Sequence, residues 1–176
     1  DPAAPTLVEI RAVDGAYPLY GRLDLAGGAK LGAALEERGG LFGAAIEPAL
    51  LDRLGLEPGA RIAIGEMELE LRAVIESEPD RLSSGLSIGP RLMISLAALE
   101  RSGLLRPGSL VRWDYRVKLP QGARSEADIA AFTSAVEQEG PRAGWRIRSR
   151  AAAAPGLQRS IDRLSQVLTL VALTVL

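Results

Sequence analysis

From Ser165 to Leu176 the chain reads Ser-Gln-Val-Leu-Thr-Leu-Val-Ala-Leu-Thr-Val-Leu, and no charged residue follows Arg163. A helix that is apolar on every side belongs in lipid or in a dry protein interior. This run supplies little more than half of the roughly 20 residues that a bilayer span needs at about 1.5 Å each. The opening residues, Asp-Pro-Ala-Ala-Pro, lack an initiator methionine. The expectation is a piece of a larger membrane protein, ending inside a transmembrane helix. Upstream of Ser165 only one face of the same helix is apolar. Leu157, Ile161, Leu164, Leu168, Val171 and Val175 follow alternating four- and three-residue steps, the spacing of a coiled-coil seam. Leu157, Ile161 and Leu164 are therefore the candidate coupling residues. They can pack on their own domain, on a first membrane helix or on a second protomer. Arg150, Arg159 and Arg163 flank the helix, and the positive-inside tendency would draw them to the cytoplasm. That tendency is weak beside long translocated domains. The competing expectation is a soluble α+β hydrolase or small-molecule-binding domain whose C-terminal helix is core.

Composition narrows the chemistry. The 176 residues carry a net charge of −1 with both signs interspersed, so there is no nucleic-acid footprint. Cysteine is absent, which excludes a disulfide framework and thiolate chemistry. Histidine is absent too, removing the usual general base near neutral pH and the commonest metal ligand. No cofactor is implied.

Strands and helices are interleaved. Leu7–Val13 is β-rich and ends at an Asp14-Gly15 turn, and Tyr20–Leu25 suggests a short strand. Ala26–Gly40 is rich in glycine and predicts a loop around a brief helical turn. Pro48–Leu54 predicts a short helix stopped by Gly55. Arg61–Ile64 and Met67–Ile75 predict a hairpin about Gly65-Glu66, with Met67, Leu69, Leu71 and Ala73 alternating against Glu68, Glu70 and Arg72. Glu76–Pro90 is polar and predicts a loop, Leu92–Ser95 a short strand, and Leu96–Ser102 a short helix closed by Gly103. In Leu110–Leu119, Val111, Trp113, Tyr115, Val117 and Leu119 alternate with charged residues, the cleanest strand signature in the chain. Ser125–Glu139 predicts a helix with Ser125 as N-cap and Asp128 answering it in a capping box; Ile129, Phe132 and Val136 share a face. Trp145–Arg150 predicts a final strand before the linker Ala151–Gly156.

Motifs for catalysis are poor. Gly85-Leu-Ser-Ile-Gly89 fits the letters of a G-x-S-x-G nucleophile elbow, but Pro90 follows it and no histidine exists to take the proton. A glycine-serine loop explains the same letters. Gly39-Gly40-Leu41-Phe42-Gly43 and the glycines from Gly27 to Gly32 match neither a P-loop nor a dinucleotide fingerprint, and turn chemistry explains them. Glu76, Glu78 and Asp80 lie close together as a glycosidase pair or weak calcium site would, although spaced acids on a polar loop are usually just solvated. Trp113, Tyr115 and Trp145 suit a ring-stacking surface or, more simply, a core or sheet edge.

Several segments carry a family resemblance. Ser87-Ile-Gly-Pro-Arg-Leu-Met-Ile-Ser-Leu96, Ser102-Gly-Leu-Leu-Arg-Pro-Gly-Ser109 and Val111–Leu119 resemble the first extracytoplasmic domain of YbbP-like ABC-transporter permeases, within the FtsX/MacB-type group. Ala16-Tyr-Pro-Leu-Tyr-Gly21, Glu78-Pro-Asp-Arg81 and Leu54–Ile64 are similar to the same pattern. The resemblance implies an α+β fold lying between the first and second membrane helices. A porter-like β-α-β subdomain would comprise residues 7–20 and 109–156, an inserted β-rich subdomain 21–108, and a stalk helix entering the membrane 157–176. It also implies an inner-membrane protein with this domain in the periplasm, and no catalytic residues. The implied partners are a cytoplasmic ABC ATPase subunit, a periplasmic protein or lipid-like substrate, and a second copy in a homodimer. The implied work is mechanotransmission.

Overall fold

The computed structural model describes residues 6–79, 89–120 and 125–148. The fold is α+β, built on a mixed sheet. Two compact units divide the chain, Asp1–Arg116 and Val117–Leu176.

In the first unit the strands are β1 (Glu9–Val13), β2 (Asp24–Leu25), β3 (Glu37–Arg38), β4 (Leu41–Ile46), β5 (Arg61–Ile64), β6 (Met67–Ser77) and β7 (Arg91–Ser95). The helices are α1 (Leu31–Leu35), α2 (Pro48–Leu54) and α3 (Leu96–Arg101), with a short 3-10 turn at Ala26–Gly28. The main path through the sheet is β1-β7-β4-β6-β2; β3 pairs with β4, and β5 with β6. The β1–β7 and β4–β6 pairs are parallel, and the others are antiparallel.

Local chemistry accounts for the legible elements. Proline starts α2, where its missing N–H costs no hydrogen bond, and the helix ends at Gly55. The Ser95 hydroxyl accepts from the Ala98 amide and caps α3. Ser102 is fully buried at the end of α3: its hydroxyl donates to the Leu99 carbonyl at 2.7 Å, and its own carbonyl accepts from the Glu66 amide at 2.8 Å. That second bond ties α3 to the turn of the β5–β6 hairpin.

Strand β6 organises the core. Leu69, Leu71, Ala73 and Ile75 are buried while alternate residues are not, as the sequence pattern predicts. Leu69 and Leu71 join Phe42, Ala44, Ile46, Leu50, Leu92 and Ile94 in one apolar cluster. Ala73 and Ile75 join Val13, Leu25, Leu35, Ala45 and Met93 in a second. The register of β4 against β6 shifts between Ala44 and Ala45, so Arg72 is the extra residue of a bulge. Its guanidinium donates to the carbonyls of Glu36 and Leu41 and pairs with Glu70.

Four sequence expectations require correction. Gly39–Gly43 is not merely turn chemistry, because Leu41–Ile46 is the central strand β4, buried from Phe42 onward. The glycine that disguises it has a packing reason. A Cβ on Gly43 would lie 1.8 Å from the Ala34 carbonyl oxygen, so only glycine lets α1 end across this strand. Ala26–Gly40 likewise holds α1 and β3 instead of a single helical turn in a loop. The alternating segment Leu110–Leu119 forms no strand, and neither do residues 145–148 of the expected Trp145–Arg150 strand. Trp113 is 54 % exposed, Tyr115 70 % and Trp145 47 %. Alternation states which side chains share a face; it does not supply a ladder, and the described residues contribute none here.

The second unit contains α4 (Glu126–Glu139), with the predicted capping box complete. The Ser125 hydroxyl accepts from the Asp128 amide, and the Asp128 carboxylate accepts from the Ser125 amide at 3.0 Å. Ile129 and Val136 are half-buried, and Phe132 is exposed. Among the described residues no helix is long and apolar enough to cross a membrane. The expected stalk, residues 157–176, lies outside the described residues.

Candidate functional site: a buried ionic cluster where separate motifs meet

The candidate coupling residues Leu157, Ile161 and Leu164 lie outside the described residues, as do Ser87 of the elbow-like sequence and Asp80 of the acidic group. What the structure brings together is a set of charges that looked unremarkable in sequence. Glu78 directly follows β6 and is the first residue of the Glu78–Arg81 motif. Its side chain is 1 % exposed, against the expectation that acids on this polar loop are solvated. Arg11 of β1 approaches one carboxylate oxygen of Glu78 at 2.5 Å, and the Tyr17 hydroxyl donates to the same oxygen at 3.3 Å. Arg91, which opens β7, places its Nε 3.3 Å from the other oxygen.

The cluster extends further along both strands. Arg91 Nη1 donates to Glu9 at 2.8 Å, and its backbone amide donates to the Glu47 carboxylate at 2.9 Å. Its carbonyl accepts from the Glu47 amide at 3.0 Å. The Arg11 guanidinium lies 4.9 Å over the Tyr17 ring, a cation–π stack. Close packing completes the arrangement: a Cβ on Gly21 would fall 2.6 Å from Cβ of Pro79.

Tyr17, Gly21, Glu78, Pro79 and Arg91 come from three of the segments that carry the family resemblance, far apart in sequence and adjacent in space. The residues that sequence reasoning overlooked are Glu9, Arg11 and Glu47. Their signal was faint: single charges in or beside β-rich or helical stretches, with nothing to distinguish them from a solvated face.

Burying such charges costs several kcal/mol per ion, which only multiple partners offset, and removing one partner from a buried pair typically costs about 3–5 kcal/mol. Here the satisfaction is incomplete. Glu78 Oε2 and Arg91 Nε face each other but lack hydrogen-bond alignment, and neither has another hydrogen-bond partner. The cluster suits positioning. Its acids are engaged by arginines, and among the described residues no group of acids is arranged to hold a metal ion.

No protein-family model matches the chain, and no solved structure matches it. The uncharacterized ABC transporter permease YbbP of Escherichia coli (strain K12) is 32% identical over 112 residues. The match covers 64% of this chain but 13% of the permease, so the chain spans a small part of its relative's length. Over nearly two thirds of its residues the chain is thus related to a segment of a YbbP-like ABC-transporter permease.

Proposed function

We propose that this chain is a non-enzymatic extracytoplasmic part of an ABC-transporter permease. It would work beside a cytoplasmic ATPase subunit and couple ATP hydrolysis to movement outside the inner membrane. The observation that carries this reading is the 32% identity to YbbP over 112 residues. Two features support it. The apolar run that closes the sequence has the character of a lipid-facing helix. The first unit is a body with two buried apolar clusters and a side-chain lock, as a part that transmits displacement needs.

In this proposal the seam Leu157, Ile161 and Leu164 is the coupling helix. The porter-like part comprises residues 7–20 and 109–156 and the inserted part residues 21–108, with β1 of the former pairing with β7 of the latter. The output is mechanotransmission acting on a lipid-like substrate or a periplasmic partner protein, with a homodimer as the assembled state.

The absence of native cysteine makes a direct test available. Glu57 is exposed after α2, so Glu57→Cys gives a single reporter thiol in a full-length parent whose cysteines outside these 176 residues have been replaced. A membrane-impermeant maleimide should label it in intact spheroplasts, and the ATPase subunit should copurify with the detergent-extracted parent. Labelling only after lysis would overturn the extracytoplasmic placement.

A further inference from the structure

Strand β1 is the terminal strand of the sheet path, and among the described residues its ladder is with β7 alone. Four of its five residues are only partly buried. A backbone ladder on one side and half-buried side chains are the features of a strand that opens locally before its sheet unfolds. Besides the apolar packing of Ile10, Ala12 and Val13, β1 is held by charges from other elements. Arg11 reaches Glu78, which lies beyond the end of β6, although β6 is three places away from β1 in the sheet order. The same carboxylate faces Arg91 of β7, and Arg91 in turn pairs with Glu9 of β1. One buried acid therefore bridges strands that share no ladder.

We infer that Glu78 is a latch: it retains β1 in the body, and β1 is the element that detaches when this carboxylate is lost. The direction follows from solvation. Without the Glu78 charge, the part-buried Arg11 and the buried Arg91, at 19% and 5% side-chain exposure, would lose their shared counter-ion, and Arg91 would keep Glu9. Releasing β1 returns Arg11 to water and opens Arg91 to it, at the cost of the Arg91–Glu9 pair and of the packing of Ile10 and Ala12 on the first apolar cluster, while the β4–β6–β5 ladders are kept. The Oε2–Nε pairing without hydrogen-bond alignment makes the latch weaker than a fully satisfied network. The inference concerns the isolated body and needs no membrane, so its failure would leave the proposed function standing.

The test is amide hydrogen exchange on the whole chain, comparing wild type with Glu78→Gln. Exchange at Arg11 and Val13, whose amides face β7 as that of Glu9 does, should accelerate at least tenfold, with Leu69 and Leu71 in β6 unchanged within twofold. Equal acceleration in both strands, or none in β1, would overturn the latch. If Glu78→Gln does not fold, the wild type decides the matter through its urea series. The β1 amides should then exchange through an opening with a shallower urea dependence than those of β6. A common dependence for the two strands would refute the inference.

Discussion

Strand β6 and the segment 110–119 carry the same message in sequence and meet opposite fates. Both alternate apolar and charged residues over about two periods of a strand or more. In β6 every second residue from Leu69 to Ile75 is buried, because β4 flanks it on one side and β5 and β2 pair with it along its length. In 110–119 no ladder forms among the described residues, and Val111, Trp113, Tyr115 and Val117 are 42 % to 70 % exposed. The pattern is therefore a property of a pair. It specifies which face a strand would bury, and the chain's other strands decide whether that face is buried.

The largest effect should come from cutting into the buried member of this comparison. Leu71→Ala removes a fully buried side chain from the first apolar cluster and should cost about 2–5 kcal/mol in urea unfolding. Circular dichroism is the right probe, since the two tryptophans, Trp113 and Trp145, lie outside both clusters. A cost below about 1 kcal/mol would mean that β6 is not the organising strand. Gly43→Ala should rank next, at about 1–3 kcal/mol or more, because the added methyl meets a carbonyl oxygen and not a yielding side-chain tip. A neutral result would remove the packing reason given for the hidden strand. Ser125→Ala should cost about 1 kcal/mol of local stability in α4, read as faster amide exchange in its first turn. Smallest of all, Trp113→Ala should fall within about 0.5 kcal/mol, as at other exposed positions. A cost matching that of Leu71→Ala would collapse the contrast between the two segments.

Legibility followed from how local each element's cause is. Helix α2 was readable to the residue, because Pro48 and Gly55 are start and stop signals that need no tertiary knowledge. The capping box of α4 was readable for the same reason. Strand β4 was not. It is buried from Phe42 to Ile46, so it shows no alternation, and Gly43 reads as a turn residue until α1 is seen against it. Glu78 sits among serine, proline and acids and looks solvated; its burial is decided by Arg11 and Arg91, far away in the chain. The family resemblance marked the segments around Tyr17, Glu78 and Arg91 without revealing that they touch.

The parallel β1–β7 pairing also sets a timetable for biosynthesis. Glu9 and Arg91 are 82 residues apart. At about 5–20 residues per second, the ribosome needs roughly 4–16 s to deliver the partner after the first strand has emerged. Throughout that interval the first strand lacks the one described strand that carries its ladder, so Ile10 and Val13 are the last of the early apolar residues to be fixed in the sheet.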